Sequence, residues 1–204
     1  MSRNHIRLRV EGEFACFTRP EFKAERRSYD VMNPSAAQGL LESIYWKPQM
    51  RYEILRIHVL KPIRFISMTL NELGQTASRN GQNIIDDRIQ KTTSILADVA
   101  YVIEARIDEF EDQGKHGAVF ERRASQGQYF RPPVLGQREF VCRFKLLGRD
   151  ETFRPIPVTR NLGWMFHQRL FDASGRAERM TFFDAKLVNG TLEIPPFLET
   201  RHAA

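Results

Sequence analysis

The sequence predicts an α+β fold built on an antiparallel sheet, and three observations carry that prediction. Apolar and charged residues alternate through several segments, the period of strands with one buried face. Between them lie segments with helical signals, one of which has a capping residue and a proline in place. Near the C-terminus an Asn-Gly pair stands between apolar runs, the strongest short-range hairpin signal.

Residues 6–17, IRLRVEGEFACF, set Ile6, Leu8 and Val10 on one face of a strand and Arg7, Arg9 and Glu11 on the other, with Gly12 marking a bulge or a close approach. In NPSAAQGLLESIYW, Asn33 caps a helix that opens on Pro34. Ala37, Leu40, Leu41 and Ile44 form its apolar stripe, and Pro48 ends it. Residues 51–68 alternate as a long strand or a strand pair, with Pro62 at the break. The polar segment that follows, NELGQTASRNGQN, has no periodicity, and 74–94 reads as a long loop of the kind that often carries function. ILADVAYVIEARID, 95–108, is a further strand, and it leads to QGKHGAV, a Lys-His pair between two glycines ahead of a short amphipathic helix, VFERRAS. VLGQREFVCRFKLL, 134–147, closes the set as a strand.

Strand, helix, strand, strand, helix, strand is the ferredoxin-like βαββαβ order, which RNA-recognition modules share, and it is expected over residues 1–149. The aromatic signature of ordinary RNA-recognition domains is absent from RIHVLKPIRF, so base stacking on the open sheet is not expected. Residues 150–204 have prolines near both ends, at 155, 157, 195 and 196. Between these, GWMFHQRLF, MTFFDAKLV and LVNGTLEI predict a small antiparallel β extension.

With 204 residues, 42% of them hydrophobic and 11% aromatic, the chain buries a sizeable core. MSRNHIRLRV holds no apolar run of signal-peptide length and no stretch reaches ~18 apolar residues, so a cytoplasmic protein with no membrane span is expected. Cys16 and Cys142 stand far apart without metal-ligand spacing and read as reduced, buried thiols. There is no GxxxxGK[ST] loop and no GxGxxG after a strand, which excludes the usual nucleotide cofactor sites. His5, His58, His116, His167 and His202 lack paired ligand spacing, and EFEDQ at 109–113 reads as the solvated end of a strand, so neither a metal nor another cofactor is expected.

The net charge of +6 is unevenly spread. Lys+Arg minus Asp+Glu is 12 − 7 for residues 1–70, 4 − 9 for 71–112, 8 − 2 for 113–149 and 7 − 7 for 150–204. Two basic islands flanking an acidic segment suit a polyanionic partner. Within the islands, Arg26-Arg27 and Arg122-Arg123 are candidate phosphate contacts, with a solvated surface as the alternative. His58 and His167 sit in apolar strands and read as packing residues. His116 differs: it adjoins Lys115 and precedes a helix start, where unpaired backbone N–H groups and the helix dipole favour an anion.

GEFACFTRPEFKAERRSYDVMNPSAAQGLLESIYWKP, RIHVLKPIRFISM, GKHG and GWMFHQ together resemble the CRISPR-associated repeat-RNA endoribonuclease of subtype I-C. This is the catalytic member of the fifth Cas protein family, in the RAMP superfamily. The resemblance implies a ferredoxin-like domain with a C-terminal β extension and metal-free cleavage of the repeat hairpin in precursor guide RNA. It also implies that the protein stays on the 5′ handle, among the other subunits of a surveillance complex. The family's Tyr, Lys and His set falls on SIYWKP and GKHG, which implies Tyr45, Lys115 and His116 as catalytic residues. The chain departs from the family at Thr69-Leu70, ahead of Asn71-Glu72, where two basic residues are the family pattern.

In such a reaction the RNA 2′-OH is the nucleophile, and a 2′,3′-cyclic phosphate and a 5′-OH are the products. Lys115 would stabilise the crowded phosphorane, and His116, of a residue type that titrates near neutrality, would serve as acid or base. Tyr45 would be a base, an orienter of the 2′-OH or a hydrogen-bond donor, the other reading being that it completes a buried helical face. A non-catalytic subunit that grips the RNA handle is the second functional reading, and general affinity for duplex DNA a third.

Overall fold

The computed structural model describes residues 4–22, 26–73, 88–111, 114–171 and 176–197. Its elements are β1 (His5–Ala15), α1 (Pro34–Ile44), β2 (Met50–Val59), β3 (Phe65–Leu73), β4 (Arg88–Glu109), α2 (Lys115–Ser125), β5 (Arg143–Leu146), β6 (Arg160–Phe171), β7 (Ala177–Val188) and β8 (Thr191–Glu193). The strands form one antiparallel sheet in the order β5-β1-β4-β2-β8-β7-β6, with β3 paired to β4 off this path. The stretch β5-β1-β4-β2, with α1 and α2 in its crossovers, is the ferredoxin-like core that the sequence predicts. β8 pairs with β2, so the C-terminal strands continue the same sheet.

Cross-strand register identifies the buried face. Leu8 of β1 and Ile57 of β2 both pair with Ile103 of β4, and Val10 and Val59 both pair with Tyr101. A bulge between Ile54 and Arg56 explains why the apolar phase of β2 changes from Tyr52 and Ile54 to Ile57 and Val59: one inserted residue turns the strand over. Both helices cover this face. Leu40, Leu41 and Ile44 of α1 and Phe120 of α2 are buried there, and the Tyr52 ring meets Phe120 edge-on at 5.6 Å. The opposite face carries Arg56, His58, Glu104 and Arg106, tied by ion pairs. Among the described residues no helix is long and apolar enough to cross a membrane.

The start of α1 is as predicted, with the Asn33 side chain accepting the Ala36 N–H at 2.8 Å ahead of Pro34. Gly12 lies on an unbroken register and is a close approach, since a Cβ there would stand 2.6 Å from Leu135 Cδ1. Asn189 and Gly190, both at positive φ, turn β7 into β8. Cys16 and Cys142 are buried and unbridged, and burial pushes the Cys142 thiol up to about 12.

Three expectations are corrected. Residues 88–94 of the expected loop are strand, because their ladder to β3 satisfies the backbone without needing an apolar face; residues 74–87 lie outside the described residues. The strand expected over 134–147 is reduced to Arg143–Leu146. Gly136 sits at φ +90, where a Cβ would come within 2.0 Å of the Cys16 carbonyl oxygen, and this turn holds the segment before β5 out of the ladder. Finally, α2 begins at Lys115, so the Lys-His pair lies in its first turn and not ahead of it.

Candidate active site

Tyr45 is placed by the way α1 stops. Its N–H still donates to Leu41 O at 3.2 Å, but its own backbone is extended (φ −157, ψ 133), which takes its side chain out of the helical series. The Tyr52 hydroxyl, fully buried, donates to the Tyr45 carbonyl at 2.6 Å, and burial raises the Tyr52 pKa so that this donor keeps its proton.

Lys115 and His116 are placed by the way α2 starts. Gly114 occupies the cap position at φ 85 and offers no side chain to the first amides. Glu109, the last residue of β4, takes that role, its carboxylate accepting the N–H of Gly114 and, at 2.8 Å, that of Gly117. This corrects two expectations. Glu109 is a capping group and not only the solvated end of a strand, and these two amides hold a carboxylate of the protein itself where a substrate phosphate was expected. Negative charge at a helix N-terminus is favourable whatever its source, and here the chain supplies it.

The two ends meet. Tyr45 Oη lies 2.9 Å from His116 Nδ1, with ring centroids 6.0 Å apart. Tyr45 is 7% exposed and His116 4%, whereas the adjoining Lys115 is exposed. His116 Nε2 is buried and has no hydrogen-bond partner among the described residues.

Arg123 joins this cluster. Its guanidinium stands 5.2 Å from the centre of the Tyr45 ring and donates to Ile44 O at 3.4 Å. Arg122, exposed, lines the adjacent hollow. Arg26 and Arg27 are exposed elsewhere: Arg27 bridges Ser94, fifteen residues along β4 from Glu109, and lies over Phe22 at 5.5 Å. The arginine pair of α2 is therefore at the Tyr45–His116 site, and the Arg26-Arg27 pair is not.

Sequence reasoning read Glu109 only as part of the solvated EFEDQ end of a strand, although an acid five residues ahead of a side-chain-free cap is a readable signal. It also passed over Arg131, Arg138 and Arg169, which line a groove of about 780 Å³ running along α1 past Gly39 and Ser43. His58 donates to or accepts from Thr191 Oγ1 at 3.0 Å, and His167 Nε2 lies 3.0 Å from Pro195 O. Burial lowers the pKa of His167. Among the described residues no three His, Cys, Asp or Glu side chains form a metal-holding group.

Residues 5–195 match the family model Cas5d, described as "CRISPR-associated protein (Cas_Cas5)". The chain belongs to this family. Two Cas5d relatives named "CRISPR pre-crRNA endoribonuclease Cas5d" align over nearly its whole length. One, from Mannheimia succiniciproducens, is 42% identical over 95% of this chain and 96% of its own. The other, from Thermus thermophilus, is 38% identical over 93% and 91%. Among solved structures, one titled "Crystal Structure of CRISPR-associated Protein" superposes with a TM-score of 0.70 at 24% identity, covering 96% of this chain and 92% of that one. A chain of a "CRISPR RNA-guided surveillance complex" superposes at 0.57 with 14% identity, covering 94% and 91%. The structural likenesses establish the fold, and the Cas5d sequence matches the family.

Proposed function

We propose that this protein is a metal-independent endoribonuclease that cleaves CRISPR precursor RNA within its repeat hairpin. On this reading it stays on the 5′ handle among the other subunits of a type I-C surveillance complex in the cytoplasm. The names of the two full-length relatives support the activity and the substrate. The observation that carries the reading is the contact of Tyr45 with His116, next to Lys115, from elements that are far apart in sequence.

The chemistry follows from the groups. The RNA 2′-OH loses its proton and its oxygen attacks the adjacent phosphorus; the P–O5′ bond breaks and the leaving oxygen takes a proton. Tyr45 and His116, already hydrogen-bonded, supply a path for proton transfer, and the exposed Lys115 ammonium offsets charge on the phosphorane oxygens. No metal-activated water is needed as the attacking group, because the substrate brings its own nucleophile. The pair is buried, and the Arg123 guanidinium, a group with affinity for phosphate, stands 5.2 Å from the centre of the Tyr45 ring.

Lys115→Ala and His116→Ala are expected to abolish cleavage of the cognate repeat RNA in EDTA while hairpin binding changes less than about threefold; loss of about 10²-fold or more per group is usual for acid–base and oxyanion-stabilising residues. Wild-type cleavage rates in both variants would overturn the assignment. Hairpin binding without any cleavage by the wild type would favour a structural RNA-gripping subunit. Equal, steeply salt-dependent affinity for duplex DNA would favour general polyanion binding.

A further inference from the structure

The loop after α2 carries two exposed aromatic rings on a backbone fixed at both ends. On one side Gly127, at φ 66, closes α2, and the Gln128 N–H donates to Arg123 O at 2.9 Å. On the other, the N–H groups of Phe130 and Arg131 both donate to Ser43 O, at 2.9 and 3.0 Å, in the last turn of α1 just before Ile44 and Tyr45. Between these anchors Tyr129 is 50% exposed and Phe130 77% exposed. The Tyr129 ring is further held edge-on against Phe144 at 6.5 Å. With Arg122, Arg123, Gly127 and Gln128 the two rings line an open hollow of about 560 Å³.

A single exposed ring on a protein surface is ordinary. Two rings on a pinned loop beside two arginines form the combination that binds single-stranded nucleic acid, in which bases stack on aromatic faces and cations take the backbone. The hollow adjoins the Tyr45–His116 site, because Arg123 lines it and its guanidinium stands 5.2 Å from the centre of the Tyr45 ring. Paired bases keep their faces inside the duplex, so the nucleotides that fit here are unpaired ones.

We propose that Tyr129 and Phe130 form a stacking platform for one or two unpaired nucleotides adjoining the scissile phosphate, with Arg122 on the intervening backbone. The platform rests on the endoribonuclease reading and assigns to the Tyr129 and Phe130 rings the contact with unpaired nucleotides beside the stem. It is a specificity-determining surface that takes no part in bond cleavage.

The test uses the full chain and cognate repeat RNA with 2-aminopurine at each unpaired position beside the stem, made uncleavable by a 2′-deoxy substitution at the cut. Wild-type protein is expected to change the fluorescence at one or two adjacent positions. Tyr129→Ala/Phe130→Ala should lose that change and bind the flanked RNA about 5- to 100-fold more weakly, whereas Phe130→Trp, which keeps an aromatic face, should bind it like wild type. A hairpin trimmed of its flanks should bind wild type and the double variant alike, and cleavage of the cleavable RNA at saturating protein should stay within a few-fold. Unchanged fluorescence at every position, or equal affinity of wild type and the double variant for flanked RNA, would overturn the platform. If the wild type cleaves but shows no such dependence, the endoribonuclease reading stands without the platform; if it shows the dependence but does not cleave, the rings still stack and the endoribonuclease reading alone falls.

Discussion

Replacing Tyr45 by Phe would remove one oxygen atom and leave the ring, the Tyr52 bond to its carbonyl and the Arg123 contact in place. Y45F is therefore expected to slow single-turnover cleavage by about 10²-fold with RNA affinity within about twofold. It should also lower stability by about 1 kcal/mol, since His116 Nδ1 is left buried without its partner. Single-turnover rates and urea unfolding measure the two effects. Cleavage at the wild-type rate would return Tyr45 to the hydrophobic core. At this scale the motifs SIYWKP and GKHG were legible in the sequence, because a motif survives in the order of residues. The contact between Arg123 and Tyr45 was not, because it exists only when the end of α1 and the last turn of α2 are brought together by the sheet.

Elements whose signals are local were readable, and those completed by a distant partner were not. Asn33, Pro34 and the Asn189-Gly190 turn lie within the segments they shape. The first turn of α2 is capped from β4, and the segment before β5 is bent by a glycine packed on the carbonyl of Cys16, so neither could be placed from its own residues. The junction of β2, β4 and β8 depends on such distant partners too. Glu104 of β4 faces His58 and Arg56 of β2, and Arg56 also pairs with Glu193 of β8. His58 first, and then Arg56, hold the Glu104 carboxyl down at about 2, well below the usual ~4.3 of a glutamate. A depressed carboxylate contributes stability above the unfolded pKa and loses it as pH falls through the folded one, so this junction should weaken from about pH 4.5 towards 2. Glu104→Gln is expected to be less stable by about 1 kcal/mol at neutral pH, discounted for its partial exposure, and to flatten the acid limb in urea unfolding across that range. An unchanged acid limb would show that the pair does not stabilise the junction.

On the scale of the whole molecule, the basic residues do not form one patch. Arg26 and Arg27 lie near the start of β4, Arg122 and Arg123 at the site, and Arg131, Arg138 and Arg169 along the groove beside α1. A single strand following that groove would release counterions in proportion to the phosphates it meets. Replacing Arg131, Arg138 and Arg169 by Ala together should reduce the slope of log K against log salt by about 2, at roughly 0.7 per contact. An unaltered slope in filter binding at several salt concentrations would show that RNA takes another route. β4 links these regions, since its 22 residues pair with β3 at one end and with β1 and β2 along the rest. Its final residue clasps the turn that presents Lys115 and His116. The strand therefore acts as a ruler: loss of a single codon between Leu96 and Glu109 would invert every side chain beyond it and draw the clasp back by about 3.3 Å. The turn that presents Lys115 and His116 would then lose its alignment with both residues still present.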